Sequence, residues 1–110
     1  MRRGIEAQRR KYDAANIRAN IDPREFYRHE LRAMPRDGRL SGSGWTDGGL
    51  CPFHNDRHKG NFRINLDSGA FVCFACGAKG QDVIAFVQER DGLTFLDALS
   101  TLADAWGVRP

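Results

Sequence analysis

Two short pairs of ligand-type side chains constrain this sequence more than anything else in it: Cys51-Pro52-Phe53-His54 and Cys73-Phe74-Ala75-Cys76, with residues 55–72 between them. They contain all 3 cysteines of the chain. An odd number cannot pair completely as disulfides, which points away from a secreted framework and toward metal. Two intervening residues put both side chains of a pair on one side of a tight knuckle. Two knuckles brought together offer three thiolates and one imidazole, a set that suits tetrahedral Zn2+. Gly77, directly after the second pair, fits a backbone turn that other residues reach at a cost, and Gly49 stands just before the first pair. Each cysteine taken singly also reads as a small buried hydrophobe, but that reading leaves the paired spacing unexplained. His58 is the competing imidazole, with the wider spacing found in some zinc fingers; its shared knuckle with Cys51 favours His54. Four protein ligands leave no coordination position for an activated water, so one structural zinc is expected and not a catalytic one.

The intervening segment supplies a way to join the knuckles. Phe62-Arg63-Ile64-Asn65-Leu66 alternates, Asp67-Ser68-Gly69 has turn chemistry, and 70–74 reads as a second strand, which together predict an antiparallel hairpin. Upstream, two short helices are expected between Ala14 and Ala33, broken at Asp22-Pro23, where aspartate caps and proline suits the first helical position. Phe26, Tyr27 and Leu31 would be their packing residues. Pro35 to Gly49, rich in Gly, Ser and Asp, reads as a mobile loop anchored by Trp45 and followed by a short strand running into Leu50. Downstream the period changes: Val83, Ile84, Phe86 and Val87 share a helical face that ends at Asp91-Gly92. Thr94 starts another helix, with Asp97 at capping-box spacing and Phe95, Leu99, Leu102 and Trp106 as a core stripe. The expected fold class is α+β: a small zinc ribbon with an antiparallel β-sheet flanked by N-terminal and C-terminal helices.

A length of 110 residues with 41% hydrophobic content fits one compact domain over 14–110, while residues 1–13, charged and poor in large apolar side chains, read as a flexible basic N-terminus. The start of the chain has charges but no apolar stretch behind them, and no run approaches a membrane span, so a cytoplasmic protein without a membrane partner is expected. Charge is uneven. Residues 1–39 hold 11 Lys/Arg against 6 acids, and residues 81–110 hold 2 against 5. That polarity suits an acidic partner, nucleic acid first, although a solvated helical surface would produce it too.

Four ordered segments then resemble a known family, the zinc-binding domain of bacterial and phage DnaG-type primases. They are Cys51-Pro52-Phe53-His54-Asn55-Asp56-Arg57, Phe71-Val72-Cys73-Phe74-Ala75-Cys76-Gly77, Gly80-Gln81-Asp82-Val83-Ile84-Ala85-Phe86, and Thr94 to Leu99 followed by Leu102-Ala103 and Gly107-Val108. The likeness covers roughly residues 14 to 108. It implies a ribbon that binds single-stranded DNA template and helps choose where an RNA primer begins. Single strands are held by basic tracks along the phosphates and by aromatic faces under the bases. Arg57, Lys59, Arg63 and Lys79 are the expected track, with Arg24, Arg28 and Arg32 on one helical face as the fallback. Phe71 is the expected platform, with hairpin packing as its other reading. The sequence departs from the family at His58-Lys59-Gly60-Asn61-Phe62, where the usual Thr-Pro-Ser-Phe run is one residue shorter and carries a proline.

No cluster of acids suited to catalytic Mg2+ is visible, so primer synthesis by this chain alone is not expected. The expected function is a non-catalytic template-binding module of DNA replication. It would work in trans with a polymerase or helicase partner, as suits a mobile element, or as the front domain of a longer primase. The alternative is a ribbon that holds a protein partner without touching nucleic acid.

Overall fold

The computed structural model describes residues 13–32, 34–35 and 42–109. The expected flexible segment, apart from Asp13, and residues 36–41 of the expected mobile loop lie outside the described residues. Helix α1 spans Ala14–Asn20 and α2 spans Pro23–Glu30. Asp13 caps α1 by accepting from the Ala15 amide. Asp22 caps α2 by accepting from the Arg24 amide, and Pro23 takes the first position, where a missing N–H costs nothing. Phe26, Tyr27 and Leu31 are buried as expected. The helix stops at Glu30, so Arg32 does not continue the row of Arg24 and Arg28.

Four short strands follow: β1 (Trp45–Asp47), β2 (Phe62–Asn65), β3 (Phe71–Cys73) and β4 (Lys79–Gly80), in the order β1-β2-β3-β4 with every neighbour antiparallel. β1 stops short of Leu50, the hairpin strands are trimmed at Leu66, Ala70 and Phe74, and β4 is too short to carry a sequence pattern. In the hairpin turn the Asn65 side-chain oxygen accepts the amides of Asp67 and Ser68, and Asn65 donates to the Ser43 carbonyl. Alternation divides the sheet. Thr46, Phe62, Ile64, Phe71 and Cys73 face the core, while Trp45, Arg63, Val72 and Lys79 lie on the other face at intermediate or full exposure.

Helix α3 (Val83–Asp91), capped by Asp82, and α4 (Phe95–Trp106), capped by Thr94, close the core. Thr94 Oγ1 accepts from the Asp97 amide, as the spacing predicted. Val83, Ile84, Phe86 and Val87 are all buried, and Phe86 meets Phe26, Tyr27, Phe53 and Phe71 ring to ring. The α4 stripe is shifted from expectation: Ala98, Leu99, Leu102 and Ala103 are buried, but Phe95 is 46% exposed and Leu96 60%. Phe95 is the first residue of its helix, at the end of the stripe. Gly80 has no room for a side chain against the core. A Cβ there would fall 2.4 Å from Phe71 Cε1 and 2.7 Å from Ala85 Cβ. Among the described residues no helix is long and apolar enough to cross a membrane.

Candidate metal centre and adjoining sheet face

The meander itself explains how the two ligand pairs meet. β1 and β3 both run antiparallel to β2, so they point the same way, and the knuckles that follow them emerge at one end of the sheet. Cys51, His54, Cys73 and Cys76 converge there, with their ligand atoms all within 4.8 Å of one another. Cys51 Sγ lies 3.9 Å from Cys76 Sγ, and Cys73 Sγ lies 4.0 Å from His54 Nδ1. Zinc bonds of about 2.3 Å to sulfur and about 2.0 Å to nitrogen at tetrahedral angles put ligand atoms roughly 3.5–3.8 Å apart, so the arrangement fits that ion with small adjustments. His58 is outside the cluster; it is exposed, and its amide donates to Asp56.

Each knuckle prepares its sulfur. In the first, the Phe53 amide donates to Cys51 Sγ at 3.4 Å, and the Phe53 ring stacks against Phe71 at 5.3 Å. In the second, the Gly77 amide donates to the Cys73 carbonyl, and Gly77 sits at φ 81°, the left-handed conformation that its position predicted. The two buried thiols differ. Burial pushes Cys51 up to about 12 against the pull of the Phe53 amide. Burial also raises Cys73, but the amides of Cys76 and Ala75 and the neighbouring thiols outweigh it, and the net direction is down. Three thiolates exceed the charge of Zn2+ by one, so the site suits a basic surround.

One carboxylate supports the first knuckle. Asp56 Oδ2 accepts from the Cys51 amide at 2.8 Å and Oδ1 from the His58 amide at 3.1 Å. Those amide bonds hold its carboxyl below the usual range.

The outer face of the sheet begins beside the centre. Asp47, Arg63, Val72 and Lys79 pair across the four strands in one row. Phe74, the residue after the ligand Cys73, is 73% exposed, and with Trp45, Arg63 and Val72 it lines a shallow cleft of about 280 Å³. Arg57 and Lys59 are exposed on the connection between the first knuckle and β2. Phe71, expected as an aromatic platform, is only 1% exposed and points into the core, because it lies two residues from the inward ligand Cys73 and so shares its face. The available aromatic residue is Phe74, and Trp45 flanks the same cleft. In the fallback row, Arg24 is engaged by Asp67 at 3.1 Å.

A four-stranded antiparallel meander with a three-cysteine, one-histidine centre at one end defines a zinc ribbon. The particular family follows from residues 38–109, which match the CHC2 zinc finger, the zinc ribbon of DnaG; the chain belongs to this family. It is 44% identical over 61 residues to a DNA primase of Deinococcus radiodurans, covering 56% of this chain and 10% of that protein. With a DNA primase of Lactococcus lactis it is 42% identical over 69 residues, 63% of this chain and 10% of the relative. The fold matches the crystal structure of the Aquifex aeolicus primase zinc-binding and RNA polymerase domains with a TM-score of 0.63 and 28% identity, covering 86% of this chain and 21% of that one. The chain thus spans about a tenth of the curated relatives it matches. One structural zinc, held by Cys51, His54, Cys73 and Cys76, is its cofactor.

Proposed function

We propose that this chain is a non-catalytic template reader of primer synthesis, which lays single-stranded DNA over the outer face of the sheet. The observation that carries this reading is the cleft beside the zinc centre. Phe74 offers an exposed ring, Trp45 flanks the opposite strand, and Arg63 forms the floor between them. Stacking on an aromatic ring gains about 1–3 kcal/mol per base and tolerates any sequence. Arg63 and Lys79 on the sheet, with Arg57 and Lys59 on the adjoining connection, are the cations along which phosphates would run. Zinc supplies no chemistry to a substrate here; bound, it holds the knuckles so that β1 and β3 present this face. The primase relatives support DNA template as the ligand, and the polymerising chemistry would come from another domain or a partner chain.

Fluorescence anisotropy of a labelled single strand at several salt concentrations tests the proposal. If all four cations meet phosphates, log K should fall against log salt with a slope of roughly −3, at about 0.7 per contact on single strands. Arg63→Ala or Lys79→Ala should each reduce that slope by about 0.7 without unfolding the protein. Absence of binding at low salt would overturn the reading.

A second reading, a protein-holding ribbon, is favoured by the exposed Phe95 and Leu96 at the start of α4. Binding of a polymerase-domain partner that disappears with Leu96→Asp, together with no affinity for single strands, would establish it over the first.

A further inference from the structure

The buried carboxylate of Asp56 stands at the junction of two metal ligands. Its side chain is only 3% exposed, although it is surrounded by a polar turn at the protein surface. A carboxylate so covered needs partners, and two of them are backbone amides: Cys51, itself a ligand, and His58. The third neighbour is the imidazole of His54, whose Nε2 lies 3.7 Å from Asp56 Oδ1. The other ring nitrogen, Nδ1, is the one that faces Cys73 Sγ. The ring therefore stands between the cysteines and the carboxylate, with one nitrogen toward each.

Coordination through Nδ1 requires a neutral imidazole with its proton on Nε2. That N–H points toward a carboxylate, which is the partner that metal-bound histidines commonly use to fix tautomer and orientation. The 3.7 Å separation exceeds a hydrogen bond, but the terminal torsion of an imidazole is broad, and a small ring rotation covers the difference. The other carboxylate oxygen remains on the Cys51 amide throughout.

We propose that Asp56 is the positioning residue of the zinc centre: its carboxylate accepts a hydrogen bond from His54 Nε2–H so that Nδ1 faces the metal, and through the Cys51 amide it holds the first knuckle closed. Loss of the carboxylate frees the ring to turn and the knuckle to open, with all four ligands still present. This role is independent of strand binding and is read from the metal alone.

The test uses the full 110-residue chain loaded with zinc. Affinity is measured by competition with a chromophoric chelator, and the ring state by two-bond 15N–1H correlation on 15N-histidine protein. In the wild type the His54 Nε2 should carry a proton and Nδ1 the shift of a metal-bound nitrogen. Asp56→Ala should lower zinc affinity about 10- to 100-fold and bring the His54 Nε2 proton into rapid exchange with water. Asp56→Asn keeps an acceptor for the Cys51 amide and is the informative variant if the alanine protein does not fold. It should retain the fold, lose several-fold in affinity and show the same exchange of the Nε2 proton. An Nε2-bound metal in the wild type would overturn the proposal. So would wild-type zinc affinity and an unchanged His54 ring signal in Asp56→Asn.

Discussion

Phe71 and Phe74 are three residues apart, and their substitutions should have opposite consequences. Phe71 is buried among Phe53, Phe86 and the backbone of Gly80, so truncation to alanine empties a volume that the metal-pinned sheet end cannot easily fill. Loss of a core phenylalanine costs about 3–5 kcal/mol, a large share of the roughly 5–15 kcal/mol that holds a domain together. At about 4 °C or more per kcal/mol for a chain of this size, Tm of the zinc-loaded protein should fall by at least ~12 °C. Phe74 is 73% exposed, and its truncation should change stability by no more than about 0.5 kcal/mol. Its effect should appear in strand binding: removal of one stacking platform lowers affinity by about 1–3 kcal/mol, or roughly 5- to 150-fold in Kd. Thermal melts and anisotropy titrations on the two variants measure both quantities. A Phe71→Ala protein with wild-type Tm and impaired binding would refute this division, and so would a Phe74→Ala protein that melts early but binds normally.

Other outcomes follow from the same geometry. Cys76→Ser should abolish stoichiometric zinc and with it the cooperative melt, since such sites contribute on the order of 10 kcal/mol; retention of one tightly held zinc per chain would contradict the ligand set. His54→Ala should lose zinc while His58→Ala keeps it, checked by metal analysis after gel filtration. Because burial keeps Cys51 protonated well above neutrality, zinc must displace its proton, and affinity should rise with pH by at least about tenfold per unit between pH 6 and 8; a flat profile in a chelator competition would count against three thiolate ligands. Gly80→Ala should cost about 1–3 kcal/mol in a denaturant melt, the range for overpacking a full core, because its new methyl meets the Phe71 ring and Ala85.

The features that were legible in the sequence are those governed by local rules. Two-residue ligand spacing, the Asp22-Pro23 helix start, the Asp67-Ser68-Gly69 turn and the helix stop at Gly92 each specify backbone geometry with little help from the rest of the chain. Errors arose where tertiary contacts decide. Phe71 and Phe74 are equally apolar, and only the inward direction of Cys73 fixes which of them is buried. Two-residue alternation counted back from that ligand carries the signal. Phe95 falls on the α4 stripe but is 46% exposed, since helical period alone does not show where the neighbouring elements end. Arg32 lies past the end of α2, which separates it from Arg24 and Arg28. Asp56 carried no signal beyond its place in the ligand segment, because its contacts come from the fold of the knuckle around it.

Whether a single strand binds the outer face of the sheet is tested most directly by amide and side-chain chemical-shift mapping of the zinc-loaded, 15N-labelled protein titrated with a short oligodeoxynucleotide at low salt. The expected result is a contiguous set of shifts over Trp45, Arg63, Val72, Phe74 and Lys79, with the α4 residues unmoved. Shifts confined to Phe95, Leu96 and their neighbours, or no shifts at all, would contradict a template-reading sheet.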